Sequence, residues 1–499
     1  MENIKFNKDA RKSIKKGIDT VADAVKITIG PYGRNAALYD SLFQPIVTND
    51  GVSISRSIIL EDPFEDIGAA FIKEVGEKTN EQAGDGTTTS MVLTQKLVDI
   101  GLKKVENIFF NINVIDFKKG MEASVLEVTK KLKERARSID SFSDLKNIAT
   151  ISAESEDMGF IVASAVDIVG ADGVVTVEES QEEGLNYKII DGLTFESGYV
   201  SPYMVNDTQK MQAVYTDVHC LCYMGMLNNV KDVLPLIEKM MKEKKNELVI
   251  FSMGADGEAL ASLIVNNKKG TFKSLVIKAP GYFDADDRLE DIAYYTGATL
   301  IDDDLGTSLK DAQVSDLGHI EKIIASKNKT TIICKENTKT TERIEELKAL
   351  KETTTDKLQQ QRYQNRIASL SGQIGIVSVG ASTEKQMNYL KLKLEDTINA
   401  TQAALQEGIV RGGGLELLNI GKDIKNKYPN GSLSFIQGWK TVAEACEAPH
   451  KQICKNAGGK LDIPDEVIDP VKVTRCAITN AVSATATLLT TDVAVILKK

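Results

Sequence analysis

The sequence predicts a multidomain α/β protein, and three observations carry that expectation. At 499 residues the chain exceeds one compact core, and ordinary domain sizes suggest about three. Helical stretches dominate both ends, while short buried-strand runs alternate with helices in the middle. No repeat or Gly/Ser tether separates these regions, and with only ten prolines the boundaries are expected to be tight hinges. Gly192, Gly372 and Gly408 are the candidate hinges.

Residues 8–30 read as one helix, because Ile14, Ile18, Val21, Val25 and Ile29 recur every three or four positions. "IGPYGRN" breaks it with Gly30, Pro31 and Gly33. "NAALYD" and "PIVTND", separated by "SLFQ", then predict a β-hairpin. Residues 64–134 are largely helical, interrupted by a glycine–threonine stretch, and 170–179 read as a turn and a strand. "NELVIF", "SLVIKAP", "GATLIDD" and "TTIIC" are the buried strands of an α/β region. In the charged stretch 338–370, Ile344, Leu347, Leu350, Leu358, Ile367 and Leu370 are sparse apolar positions. They fit two antiparallel amphipathic helices lying over other structure. Residues 384–407 resume as a helix, expected to end at Gly412–Gly414, with more helices to follow.

Bulk properties narrow the function. Lys plus Arg number 61 and Asp plus Glu 71, a formal charge of −10, with no concentrated basic block. That argues against nucleic acid as a partner. No stretch approaches the ~18 apolar residues of a membrane span, and "MENIKFNKDARKSIKKG" lacks the apolar core of a secretory signal. The expectation is a soluble protein of the cytoplasm, an organellar matrix being the alternative, with no membrane partner. Cys220, Cys222, Cys334, Cys446, Cys454 and Cys476 are scattered without paired zinc spacing. "HCLC" at 219–222 invites a metal reading, but alternation along a strand with small apolar thiols suits it better.

The chemistry concentrates in "EQAGDGTTTS", residues 81–90. Glycine lets backbone approach a phosphate, and a helix N-terminus offers unpaired N–H groups. Gly86, Thr87, Thr88 and Thr89 supply both, and Asp85 is a hard oxygen donor suited to Mg²⁺. The plainer alternative is an Asp-Gly turn with Thr87 as N-cap. Neither a Walker A loop nor a kinase glycine loop is present, so other segments must complete a nucleotide site. "TIGPYGRN", "TNDGV" with Asp50 and Gly51, and "RGGGLEL" are the candidates.

Taken together, "DAVKITIGPYGRN", "VTNDGVSISRSIILEDPFEDIGA", "AGDGTTT", "GYVSPYM", "VIKAPGYFD", "LEDTINATQAALQEGIVRGGGLEL" and "DPVKVTR" resemble the group I chaperonin family nearly end to end. The family includes bacterial GroEL and the organellar 60 kDa chaperonins. The resemblance implies a chaperonin fold in three domains: a helical equatorial domain from 1–134 and 408–499, a small intermediate domain from 135–190 and 375–407, and an α/β apical domain over 191–374. It implies ATP with Mg²⁺ as cofactors, K⁺ being a further candidate. Asp85 would be the magnesium ligand, and Gly86 to Thr89 the phosphate loop. Thr28, Ile29, Gly30 and Pro31 would form the other phosphate-side turn. Gly413 would lie against the nucleotide and Asp469 near the ribose. Asp396 would orient or deprotonate the attacking water, with Asp50 as a second catalytic carboxylate.

For the apical part, the resemblance implies a groove for unfolded client polypeptides lined by Tyr199, Tyr203, Met204, Leu234, Ile237, Leu260, Ile264 and Val265. The plainer alternative is that these side chains pack into the core. A seven-membered ring of this chain is implied, with a GroES-like co-chaperonin as a further partner. "NIKF", the 36–49 hairpin and "DVAVIL" would make the within-ring contacts. Two departures stand out. Asn49 replaces the lysine usual before the Asp-Gly pair, and the segment after Cys454 is short, which implies weak ring stacking and relaxed base preference. A scaffold of the same fold without an efficient ATPase cycle, and a small-molecule phosphotransferase, are the competing readings.

Overall fold

The computed structural model describes residues 4–496 apart from 40–44, 108–110, 172, 181, 209, 282–283, 336–337, 355 and 465. It divides into two units, Met1–Lys188 with Ile376–Lys499, and Ile189–Gly375. Among the described residues no helix is long and apolar enough to cross a membrane.

The first unit begins with β1 (Ile4–Phe6) and α1 (Asn7–Val25). Helix α1 buries Ile14, Ile18, Val21 and Val25, as their spacing predicts. It stops short of the expected residue 30 and tightens into a 3₁₀ turn over Lys26–Thr28. Asn456 donates to the carbonyls of Lys26 and Ile29 at 3.0 and 2.9 Å, taking acceptors a continuing helix would use. Strands β2 (Ala36–Tyr39) and β3 (Pro45–Thr48) form the expected antiparallel hairpin; its turn, "SLFQ", lies outside the described residues. Helices α2 (Gly51–Ser57), α3 (Pro63–Ala83), α4 (Thr87–Val105) and α5 (Val114–Glu134) fill the predicted helical stretch. After α6 (Phe142–Ala153), α7 (Glu156–Val169) and β4 (Val174–Glu179), strand β5 (Gly184–Asp191) leads out.

The second unit holds a seven-stranded sheet. Its strands are β6 (Leu193–Phe195), β7 (Ala213–Leu227), β8 (Glu247–Ala255), β9 (Lys273–Lys278), β10 (Leu300–Ile301), β11 (Gly318–Ala325) and β12 (Thr330–Ile333). The order is β6-β12-β11-β7-β8-β9, with β10 beside β7. Strands β7, β8 and β9 run parallel, joined through α8 (Val230–Lys242) and α9 (Gly257–Lys269), and α10 (Ala285–Thr296) follows. Parallel strands are covered on both faces, so Val249, Ile250 and Phe251 are all buried. The same covering buries Cys220, Leu221 and Cys222 on β7. Those thiols are free, and no group of at least three His, Cys, Asp or Glu side chains among the described residues could hold a metal ion.

Helices α11 (Thr338–Thr353) and α12 (Lys357–Leu370) are the expected hairpin. Leu347 and Leu370 are buried, but Leu358 is exposed. Charge does much of the anchoring. Arg343 and Arg366, both buried, converge on buried Asp291 of α10. Arg366 reaches both its oxygens at 2.7 Å, and Arg343 donates at 3.1 Å.

The chain returns along β13 (Gln373–Gly380), which lies between β4 and β5. Helix α13 (Glu384–Glu407) is ended by Gly408 at φ 80°, not by the triple glycine, which instead opens α14 (Leu415–Ile424) after β14 (Ile409–Arg411). Then come α15 (Leu433–Ala445), α16 (Ala448–Asn456), β15 (Ile468–Pro470), α17 (Val471–Leu489) and β16 (Val493–Val495). Strand β16 pairs antiparallel with β1, Val495 opposite Ile4. Phe117 and Met121 of α5 share one core with Trp439 of α15 and Ile478 of α17. Segments from the two chain ends are thereby packed together.

Candidate nucleotide site

The Gly-Asp-Gly turn joins α3 to α4. Gly84 ends α3 at φ 70° and Gly86 opens α4 at φ 90°. Close approaches demand glycine at both. A Cβ on Gly84 would lie 2.2 Å from Asn399 Cβ of α13, and one on Gly86 2.7 Å from Val473 Cγ1 of α17. Helices from the C-terminal half therefore press on a turn from the N-terminal half.

Gly86, not Thr87, is the N-cap, and it supplies no side-chain cap. The first-turn N–H groups of α4 stay available to an anion. Thr88 Oγ1 lies 3.2 Å from Thr28 Oγ1, tying this helix start to the 28–31 turn. Ile453 packs beneath Gly30, and Asn456 holds the carbonyls on either side of Thr28.

A cavity of about 280 Å³ opens above these elements. Thr28, Ile29 and Gly30 line it, with Asp50, Asp85 through Thr89, and Asp396. Pro31, Gly413 and Asp469 do not line it. Asp50 caps α2, accepting from the Val52 and Ser53 N–H groups at 3.0 and 2.8 Å. Asp85 accepts from the Gly86 N–H. Gly413 sits in a left-handed turn at φ 64°, and Asp469 is hydrogen-bonded to the Gly413 and Gly414 amides. Residues the sequence reading missed also line the cavity, notably Lys393 and Glu154, joined at 2.7 Å. Lys393 stands three residues before Asp396, on the same helical face, a spacing visible in the sequence. Asn456 gave no such signal.

The electrostatics are unfavourable without a ligand. Burial raises the Asp396 pKa well above the ordinary range, and the charges of Asp85 and Asp50 raise it further. Burial also raises Asp85, against the pull of the Gly86 N–H and Lys393. Asp469 is pushed up to about 6, chiefly by burial, with a contribution from Asp85. Carboxylates are thus gathered with too little positive charge. That fits Mg²⁺ arriving with phosphates, since Mg²⁺ is usually held by one or two carboxylates plus substrate oxygens and not by a full protein cage.

In the second unit the apolar positions divide. Tyr203, Leu234 and Val265 are exposed, at 66%, 41% and 48%, while Leu260 and Ile264 are half-buried. Tyr199, Met204 and Ile237 belong to the core, so the groove expectation is corrected for these three. Met204 is packed in the core, with its sulfur 3.3 Å from the Val276 N–H it accepts. Ile237 lies on the same α8 face as Val233, Leu236 and Met240, all buried.

This architecture, with its two-ended helical unit and inserted α/β unit, is that of a chaperonin. Residues 21–463 match the TCP-1/cpn60 chaperonin family, and the chain belongs to that family. Among solved structures it is similar to the chaperonin gp146 from bacteriophage EL 2 (Pseudomonas aeruginosa), determined in the presence of ATP-BeFx. In crystal form II the identity is 19% over 99% of each chain, with a TM-score of 0.69. In form I the identity is again 19%, over 100% of this chain and 99% of that one, with a TM-score of 0.62. At this identity the likeness speaks for the fold.

Proposed function

We propose that this chain is an ATP-dependent molecular chaperone that captures non-native polypeptides and assists their folding, driven by ATP binding and hydrolysis. The observation that carries the reading is one cavity that gathers Asp50, Asp85 and Asp396 around the uncapped start of α4. In this reading the α4 amides and the Thr28–Pro31 turn hold phosphates, with Asp85 on the accompanying Mg²⁺. Bound Mg²⁺ supplies positive charge that Asp85 and the phosphates share. Asp396 orients or deprotonates the attacking water, and Asp50 supports it. Gly413 and Asp469 form the sugar side.

The three-domain division belongs to the same proposal. So do the client groove, now centred on Tyr203, Leu234, Leu260, Ile264 and Val265, a heptameric ring, and a GroES-like partner. Exposed side chains on β1, β16 and the β2–β3 hairpin, including Phe6, Val47 and Val495, support lateral assembly. Native mass measured beside ATP turnover tests the reading. Rings that hydrolyse ATP are expected. A monomer that consumes ATP only with a second substrate would point to a phosphotransferase, and rings without turnover to a scaffold.

A further inference from the structure

The cavity's charges are lopsided. Among the described residues lining it, Asp50, Asp85, Glu154 and Asp396 are acidic, and Lys393 is the one cation. A polyphosphate entering such a site meets like charge, and phosphoryl transfer needs positive charge on the transferring group's oxygens.

Lys393 is built for more than its visible ion pair. Its side chain is only 12% exposed, on α13, one turn before Asp396. Its partner Glu154 is 66% exposed and caps α6 in a left-handed conformation, φ 54°. A pair with one end in water holds weakly and is readily exchanged. The lysine charge also acts on Asp85 and Asp396, favouring both carboxylates.

We propose that Lys393 exchanges Glu154 for the terminal phosphate of the bound nucleotide, making it the residue that distinguishes triphosphate from diphosphate. In the nucleotide-free protein Glu154 holds the ammonium at the cavity wall. With a triphosphate bound, the ammonium turns to the terminal phosphate and Glu154 is released to solvent. No covalent bond changes in this step. The ion pair between the end of α6 and α13 thereby opens when a terminal phosphate is present and re-forms when it is gone, while Leu145, Ala149 and Ala153 of α6 stay packed on Leu394 and Ile398 of α13.

The inference rests on the nucleotide reading above, and one binding experiment separates the two. Affinities for ADP and for the non-hydrolysable imidotriphosphate analogue of ATP are measured by calorimetry, with Mg²⁺, on the intact protein. Lys393→Met should weaken the triphosphate by roughly 10- to 100-fold, the worth of one charge-assisted hydrogen bond. ADP affinity should stay within about twofold, as no interaction with ADP is removed. Lys393→Arg should keep the discrimination. Glu154→Gln should tighten the triphosphate alone. Equal loss for both nucleotides in Lys393→Met, or no loss for either, would overturn the exchange. Should that variant not fold, Glu154→Gln decides: an unchanged triphosphate-to-diphosphate ratio overturns the proposal. A wild-type protein that binds neither nucleotide would remove the nucleotide site itself.

Discussion

Two clusters of charge in this molecule, one buried and one half-buried at a cavity, are built on opposite principles. In the second unit, Asp291 meets two arginines, and Arg343 and Arg366 have further acidic partners in Glu290, Glu346 and Asp287. In the first unit, Asp50, Asp85 and Asp396 face one cavity that has a single lysine among its described lining residues. The first cluster is neutralised by its own chain; in the second, Asp50 and Asp85 accept backbone N–H groups, but the three carboxylates share one lysine. Carboxylates crowded together with little positive charge cost stability, which makes the second cluster a candidate ligand site. The contrast sets a structural cluster against the cluster proposed above to be functional.

The largest expected effect breaks the comparison on its functional side. Asp396→Ala should still bind ATP but hydrolyse it about 10²–10⁴-fold more slowly, the usual worth of a positioned general base. Single-turnover hydrolysis beside equilibrium binding reads both halves. Parental turnover would take Asp396 out of the reaction.

Breaking the structural cluster should act on stability and leave nucleotide binding alone. Asp291→Ala strands two buried guanidiniums, which should cost about 3 kcal/mol, near the low end for a broken buried pair. Glu290, Glu346 and Asp287 remain to limit the loss. Calorimetric unfolding would reveal it as an earlier transition. A change below about 0.5 kcal/mol would mean that the hairpin is held by Leu347 and Leu370 instead.

These two clusters were unequally legible in the sequence. The cavity's glycines, threonines and aspartates sit in short contiguous motifs; the Gly-Asp-Gly-Thr run suggests a phosphate loop by itself, whereas the role expected of Asp396 comes only from the family resemblance. Asp291, Arg343 and Arg366 lie on three separate helices, where each looks like an ordinary solvated charge. The helical hairpin itself was readable, since Leu347 and Leu370 keep their period, but what it lies on was not. Helix ends were read least well. Asn456 truncates α1 from 430 residues away, and no local pattern announces that. The triple glycine was misplaced because Gly408 alone already stops α13. Burial of Met204 and Ile237 was illegible for a related reason, because an apolar stripe does not say which of its members face the core.

A smaller effect sharpens the electrostatic half. The raised Asp469 pKa has a definite sign. Its native value of about 6 lies above the ordinary ~3.9 of an unfolded chain, so the native state holds the proton more tightly. Its contribution to stability is complete below ~3.9 and lost as pH rises through about 6. Asp469→Asn cannot lose a proton there and still offers an oxygen to the Gly413 and Gly414 amides. The variant should therefore gain on the wild type, by on the order of 2 kcal/mol, between pH 4 and pH 7.5. Urea unfolding of both proteins at those two pH values isolates the difference. An equal pH response would place the Asp469 carboxyl in water.

The smallest stability effect, and the last test, carries the contrast to apolar surface. An exposed leucine awaits a partner much as an unpaired carboxylate does. Leu234 and Val265 are exposed on α8 and α9, and Ile237, one turn from Leu234, is buried. Changing both exposed residues to serine should alter unfolding by no more than about 0.5 kcal/mol, as for most surface substitutions. Ile237→Ser should cost several times that, about 2–4 kcal/mol, from lost packing and a buried hydroxyl. Client capture should rank the variants in the opposite way. Each leucine-sized contact withdrawn from water on binding contributes about 1.5–3 kcal/mol. The Leu234→Ser, Val265→Ser double variant should therefore lose most capture of a chemically denatured protein, read as failure to suppress its aggregation. Undiminished capture would mean that clients bind elsewhere and that these side chains are ordinary isolated surface apolar groups.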